Sequence, residues 1–569
     1  MFPLRGRPTT AALRLPSDPS KYTNTPIRRL PNELLMEIFK YCVSERQDGC
    51  DPDYPSWKYD WIDREWLDIL LVCRHWYHVA CATPALWRSI PVNSKRQWFD
   101  LCVARSAGMA VYALLYWKIT AQSLSQAVET IVAHASQIGR LVLIAHEMDG
   151  FDDLELIWHT RMPLLEDFTF YILADHGAAE CAVAMHLKPV LFPALRALRL
   201  SGPSVSLPCP IVSQLHTLRL SWVEPIPFWS SERVLEALQA VAQHAGLRHL
   251  ELSRAYFPQE HLQYTYPISF PNLHSLVLIG YDTCSISRLL PHLRLGPNVD
   301  VRLIVDTSLE DWEDHSVTNL LHLIPEDTEG LPLLRTTSSA SIAFMDVKTG
   351  HAKLEIICTP GPDSRRERLV IRLLVETHPE QDRPEWSYTL DDFLGDFCKR
   401  FAASPLSELS LREFGTSGGR RASAGTLVQV FRTFPTLAIV QVEYNDPRSS
   451  CQELLKALSS HVSDATVQNE DGTPKSPPQT GERVVLPDLR DLRITQLPWR
   501  ENVLPSIVRC LQRRAVSGSR LEDLHIELYN RPRVWEVERS DWSHYDLLLD
   551  LQSLSTRVTY LDGEAPRSG

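Results

Sequence analysis

No stretch of this chain stays apolar for the roughly 18 residues that a membrane-spanning helix requires. The best run, residues 107–117, is too short. Positive charge is not in excess either. The formal net charge is -12, the opposite of the basic face a general nucleic-acid binder shows, and it disfavours an anionic membrane surface as the main target. The glycine fingerprints of phosphate and dinucleotide loops are missing, and so is H-E-x-x-H. These absences point away from nucleotide cofactors and motif-bound metals. The 12 cysteines are scattered singly through apolar segments. That pattern suits reduced, buried thiols in the cytosol or nucleus. Residues 1–26 lack the apolar core of a secretory signal. They read as a tail, or as a basic presequence, since Arg5, Arg7 and Arg14 precede the first acid, Asp18.

What is present begins near residue 27. In RLPNELLMEIFKYC, Pro31 fits the first position of a helix, where its missing N–H costs nothing. Leu34, Leu35, Ile38, Phe39 and Cys42 follow on one face at helical period, with Glu33, Glu37 and Lys40 outside it. A second helix is expected across WLDILLVCRHWYHVAC. Leu67, Leu70 and Leu71 occupy one side, and Val72, Cys73, Trp76 and Ala80 another. A helix apolar nearly all round should be buried nearly all round. Thr83-Pro84 reads as the N-cap and first residue of a third helix carrying Leu86, Trp87 and Ile90. Without residues 44–64, this unit has about 40 residues, a size at which a single core is marginal. It needs support from the rest of the chain or from a partner.

Taken in order, Leu30-Pro31, Glu33, Leu34-Leu35, Ile38-Phe39, Val72-Cys73, Trp76 and Leu86-Trp87 resemble the F-box family. The resemblance implies a three-helix module over 27–92 that docks on the Skp adaptor of cullin–RING ubiquitin ligases. The implied docking residues are Leu30, Pro31, Leu34, Leu35, Ile38, Phe39, Val72, Cys73, Trp76, Leu86 and Trp87. The insertion 44–64 departs from the family pattern and must loop out.

Beyond residue 120 a phrase returns, often after Pro or Phe-Pro: PLLEDFTF, FPALRALRL, VSQLHTLRL, GLRHLEL, FPNLHSLVL, PLSELSL, FPTLAIVQV, LPDLRDLRI and SRLEDLHIEL. Its core is Leu-x-x-Leu-x-Leu, which alternates as a half-buried strand does. Starts commonly fall about 20–32 residues apart, and the pattern resembles leucine-rich repeats. Helices are expected between strands at 123–136, 231–245 (stopped by Gly246), 390–401, 427–434, 452–462 and 503–515. The Asn that usually follows the repeat strand is absent. The expected fold class is therefore α/β: the three-helix module, then an irregular leucine-rich solenoid over 93–558, parallel strands inside and helices outside. Three strands joined by turns should form a small antiparallel β insertion at about 340–376. Residues 464–483 read as a loop containing Thr473-Pro474 and Ser476-Pro477, and 559–569 as a flexible tail.

Candidate sites follow. The residue between the last two leucines of each phrase should point off the concave face: Thr169, Arg199, Arg219, Glu251, Val277, Ser410, Gln441, Arg493 and His525. This lightly basic row suits an acidic protein segment. Cys73, His75, His78 and Cys81 are zinc-binding types, but on one continuous helix they spread over about 200° and cannot converge on an ion. Gly415–Gly419 forms G-x-S-x-G around Ser417, yet Arg420, Arg421, Ser423 and Gly425 intervene before helical spacing starts at Leu427. The expected function is a non-catalytic, cofactor-free adaptor that joins a Skp adaptor, and through it a cullin, to a protein substrate. The alternatives are a leucine-rich scaffold outside ubiquitination and a hydrolase using Ser417.

Overall fold

The computed structural model describes residues 30–48, 67–92, 96–117, 121–145, 151–172, 187–201, 210–221, 231–244, 246–253, 267–280, 283–306, 320–325, 327–347, 351–361, 367–376, 389–412, 422–444, 451–460, 484–498, 502–529 and 549–563. Two compact units are present. The first comprises residues 1–144, 149–166 and 191–194, and the second comprises 145–148, 167–190 and 195–569.

The first unit opens with helix α1 (Asn32–Asp48), which runs past the apolar stripe into the start of the insertion. The second expected helix is broken. α2 (Ile69–Val72) and α3 (Arg74–Cys81) are separated by Cys73, whose backbone is extended at φ -164 and ψ 167. The break lets the Cys73 Sγ accept the N–H of Trp76 and cap α3. The expected third helix is one 3-10 turn, Pro84–Trp87. Thr83 does not cap it, because its hydroxyl donates back to the Val79 carbonyl at 2.7 Å. The chain then turns into strand β1 (Ser89–Pro91), crosses through α4 (Arg96–Arg105) and returns as β2 (Val111–Trp117), parallel to β1. α5 (Ala121–Ala133), β3 (Ile138–Ala145) and α6 (Phe151–His159) follow. The first two match the helix and strand expected at 123–136 and 140–145.

From Met162 onward the recurring phrase becomes a turn followed by a strand. Proline occupies the second position of Met162–Leu165, Phe270–Leu273, Gly296–Val299, Phe434–Leu437 and Leu486–Leu489. In each, the fourth N–H donates to the first carbonyl. Proline presets the φ that this position needs. The closing Leu or Val is buried every time. The strands are β4 (Asp167–Ile172), β5 (Ala197–Ser201), β6 (Thr217–Ser221), β7 (His249–Ser253), β8 (Ile268–Phe270), β9 (Ser275–Gly280), β10 (Leu293–Leu295), β11 (Asp300–Asp306), β12 (Ser339–Val347), β13 (His351–Thr359), β14 (Leu369–Glu376), β15 (Glu408–Arg412), β16 (Ile439–Glu443), β17 (Asp491–Pro498), β18 (Leu521–Tyr529) and β19 (Ser555–Gly563). β19 thus reaches into the stretch read as a tail. The helices are α7 (Ser231–Ala242), α8 (Thr283–Leu289), α9 (Leu390–Phe401), α10 (Ala424–Thr433), α11 (Gln452–Leu458) and α12 (Val503–Val516).

β4, β5, β6, β7, β9, β11 and β14 lie side by side and parallel. β13 then runs antiparallel between β14 and β12, and β15 to β19 continue in parallel from β12. Every strand of this sheet points the same way except β13. The expected antiparallel insertion is therefore built into the sheet rather than appended to it. β12 lands three places beyond β11, and β13 and β14 fill the gap. β8 and β10 form a separate parallel pair.

Backbone hydrogen bonds set the step from one strand to the next. One carbonyl at the start of each step accepts two successive N–H groups of the next strand. Arg196 O takes His216 and Thr217, and His216 O takes Arg248 and His249. Beyond the insertion, Ser407 O takes Ala438 and Ile439, and Ala438 O takes Arg490 and Asp491. The same step recurs on both sides of β13. Gly246 does not end α7 in a left-handed cap. It sits where an added Cβ would meet the Leu215 carbonyl at 3.3 Å, so a side chain there would crowd the neighbouring backbone.

Along β5, β6, β9 and β16 burial alternates strictly. The Leu-x-Leu pairs, such as Leu198 and Leu200 or Leu409 and Leu411, line the buried face. The intervening residues define an open face.

Candidate protein-binding site

Two surfaces stand out. On α1, Leu35 and Phe39 are fully buried, and the Phe39 ring meets Trp76 at 5.0 Å. Leu86 and Trp87 are buried as well, with Trp87 Nε1 donating to the Ala80 carbonyl at 3.0 Å and Arg105 stacked over the ring. These side chains hold the helices together. One position round from Leu35 and Phe39, Leu34, Ile38 and Tyr41 form a second stripe, 51%, 43% and 62% exposed. Leu71 is 80% exposed and Val72 56%, and Tyr77 is open too. The expectation that the second helix is buried all round therefore fails. Breaking at Cys73 gives two short segments, and their apolar side chains do not all find cover in so small a unit.

Of the sequence-selected docking residues, Pro31, Leu34, Ile38 and Val72 are exposed, and Leu30, Cys73 and Trp76 are half-buried. Leu35, Phe39, Leu86 and Trp87 form the core beneath. Tyr41, Leu71 and Tyr77 extend the open apolar surface, and their residue types did not single them out. Leu71 is shown only by the helix break, which a regular helical projection hides.

Residues 27–91 match the F-box-like family. The open apolar stripe belongs to this F-box-like domain. No curated protein matches the chain in a sequence comparison. No metal-binding group of three or more His, Cys, Asp or Glu occurs among the described residues. Within the F-box-like domain, Cys73 is spent as a helix cap. Among the described residues, no helix is long and apolar enough to cross a membrane.

The second surface is the face of the large sheet opposite the Leu-x-Leu pairs, closed over at Thr169, Val370 and Ser410 and open along the rest of the row. Strand register joins Thr169, Arg199, Arg219, Glu251, Val277, Arg302, Val370, Ile357, Ser341, Ser410, Gln441, Arg493, His525 and Thr559 into one row. All nine sequence-selected positions lie on it. The phrase did not point to Arg302, Val370, Ile357, Ser341 and Thr559, because their strands carry weaker or reversed copies of it.

Carboxylates in the row and beside it change the electrostatics. Arg199 Nη1 donates to both Asp167 carboxylate oxygens, at 2.5 and 2.6 Å. Arg219 Nε donates to Glu251, and Arg493 Nη2 to Asp491 at 2.6 Å. That last bond is the main cause holding Arg493 above its ordinary pKa. Burial pushes the Tyr171 hydroxyl up, against the lowering pull of Arg219 and Arg199. Arg199, Arg219 and Arg493 are thus matched by carboxylates, and the basic character expected from the nine selected positions is largely cancelled.

Ser417, Thr473 and Ser476 lie outside the described residues. Helix α10, which follows Ser417 in sequence, starts at Ala424 rather than at the serine. Its first N–H groups are taken: Ser423 N donates to Asp391, and Ala424 N to Glu453. Carboxylates at that helix start oppose an oxyanion there.

Proposed function

We propose that this chain is the substrate-recognition adaptor of a cullin–RING ubiquitin ligase. The observation that carries the reading is the open apolar stripe on the F-box-like domain. Each such side chain gains roughly 1.5–3 kcal/mol on full burial, so Leu34, Ile38, Leu71 and Val72 together give a partner a substantial gross gain. A Skp adaptor would cover them, and a cullin would follow. The second unit, read as an irregular leucine-rich array of turn, strand and helix, would hold a protein substrate on the open face. The chain would then catalyse nothing itself. Its contribution would be proximity, raising the effective concentration of a substrate lysine beside the ubiquitin-carrying enzyme. The reading places the protein in the cytosol or nucleus, where thiols such as those of Cys358, Cys398, Cys451 and Cys510 stay reduced.

The test is capture of a purified Skp adaptor by the full chain and by a Leu34→Asp, Leu71→Asp double variant. Both positions are exposed, so the variant should keep the wild-type unfolding midpoint while binding falls at least 100-fold. Failure of the wild-type chain to bind, or equal binding by the folded variant, would leave a scaffold outside ubiquitination as the better account.

A further inference from the structure

The open face carries unspent hydrogen-bonding capacity where β12, β15 and β16 meet. Ser339 lies opposite Glu408, Ser341 opposite Ser410, and Ser410 opposite Gln441. Leu409 and Leu411 point into the core, so Ser410 between them turns to the open face. It is only 6% exposed, and its Oγ has no hydrogen-bond partner. Buried hydroxyls normally find partners, and one deprived of both water and protein is costly. A ligand laid over β15 can supply the missing bond.

Charge selects the ligand. Among the described open-face side chains of β15 to β19, the carboxylates are Glu408, Glu443, Asp491, Asp523 and Glu527, against the guanidinium groups of Arg412, Arg493 and Arg557. Asp491 holds Arg493, and Asp523 meets Arg557 at 3.4 Å. Glu408, Glu443 and Glu527 make no ion pair among the described residues, and only Arg412 offsets them. Glu408 adds to the field on Arg493 without pairing with it. A negative surface beside an uncharged hydroxyl and amide floor suits a positively charged chain segment.

We propose that this locus binds an extended, basic segment of the substrate protein. The segment's main chain bonds to the Ser410 hydroxyl and to the side chains of Ser341 and Gln441, and a Lys or Arg of the segment pairs with Glu408. The inference rests on the adaptor reading and deepens it by naming the substrate chemistry, which is opposite in sign to that expected from the strand row alone.

The experiment is selection of displayed random twelve-residue peptides on the full chain bound to a Skp adaptor. Selected peptides should be enriched in Lys and Arg. The best of them should lose at least ten-fold in affinity with Glu408→Arg and several-fold with Ser410→Ala. Ser410→Ala should leave the unfolding midpoint unchanged or raised, since it removes an unsatisfied hydroxyl, so weaker binding would not come from misfolding. Enrichment of acidic or apolar peptides, no enrichment, or affinities indifferent to both substitutions would overturn the proposal. Skp binding is read in the same samples. If it persists while peptide selection fails, the basic-segment locus alone falls. If it is absent, the adaptor reading falls.

Discussion

Arg514 on α12 is 1% exposed and bears its charge without a carboxylate beside it among the described residues. Its guanidinium donates to the carbonyls of Leu458, Val485 and Leu486, at 3.1, 2.8 and 2.6 Å. It thereby ties the C-terminal end of α11 to the start of the turn before β17, bracketing residues 461–483. Burial lowers its pKa, but of the carbonyls that solvate it those of Leu458 and Val485 have no other described donor, while that of Leu486 also accepts from the Leu489 N–H. Arg514→Met would keep the bulk and strand two carbonyls, those of Leu458 and Val485. Chemical denaturation should show a loss on the order of 3 kcal/mol, from about 1–3 kcal/mol for each unsatisfied group with partial relaxation. A loss below 0.5 kcal/mol, well under that range, would mean that water reaches these carbonyls. Gln496 is a different kind of residue-scale feature. Its φ of 52° accompanies a register shift in β17 between Ile494 and Leu497, as a β-bulge requires. A side chain is strained in this region by roughly 1–2 kcal/mol. Gln496→Gly should therefore leave stability equal or raise it by up to about 1 kcal/mol after the entropic cost of glycine. A clear fall in the denaturation midpoint would show that the Gln496 side chain is itself needed.

At the scale of elements, helix starts are fixed by carboxylates and hydroxyls reaching between neighbours. α9 begins in a capping box, in which the Asp392 carboxylate accepts from the Thr389 amide and hydroxyl while the Thr389 oxygen accepts the Asp392 N–H. The hydroxyl bond, then the amide bond, holds the Asp392 pKa below its ordinary value of 3.8. A depressed carboxylate stabilises the fold above its unfolded pKa and loses that stabilisation as pH falls through the folded value. The gap in unfolding midpoint between wild type and Thr389→Val should be widest near neutral pH. It should narrow as the pH drops below 3.8. A constant gap in thermal melts across that window would assign the cap to the Asp392 N–H bond alone. The same scale shows what local sequence conveys. The helix at 390–401 was legible residue for residue, because Thr389, Asp392 and the apolar stripe all agree. α4, α6 and α8 were not foreseen, because none carries so complete a set of cap and stripe. The break at Cys73 was hidden, since every residue from Ile69 to Cys81 is compatible with a helix.

At the scale of the whole molecule, the recurring phrase located most strands of the large sheet, and register places its nine selected positions in one row. β11, β12 and β19 carry weaker phrases, and their places come from pairing. β13 is the clearest case. Its sequence marks a strand, but only the landing of β12 beyond β11 places it as the reversed member inside a parallel sheet. Fixing that position means closing loops over long sequence separations, which no local pattern encodes. The Skp test reads the apolar stripe, and the peptide selection reads the open face.

By itself, the sequence determined the periodic turn, strand and helix, the acidic balance and the F-box-like pattern of residues 27–91. These follow from local spacing, turn chemistry and composition. Tertiary structure decided which of the pattern's apolar residues form its core and which are left open. Leu34 and Leu35 are adjacent and chemically identical, and only packing against Trp76 and its neighbours separates them. Tertiary structure also decided the charge of the open face. Arg199 and Arg219 take their field from Asp167 and Glu251 on adjacent strands, which become their neighbours only when the strands pair.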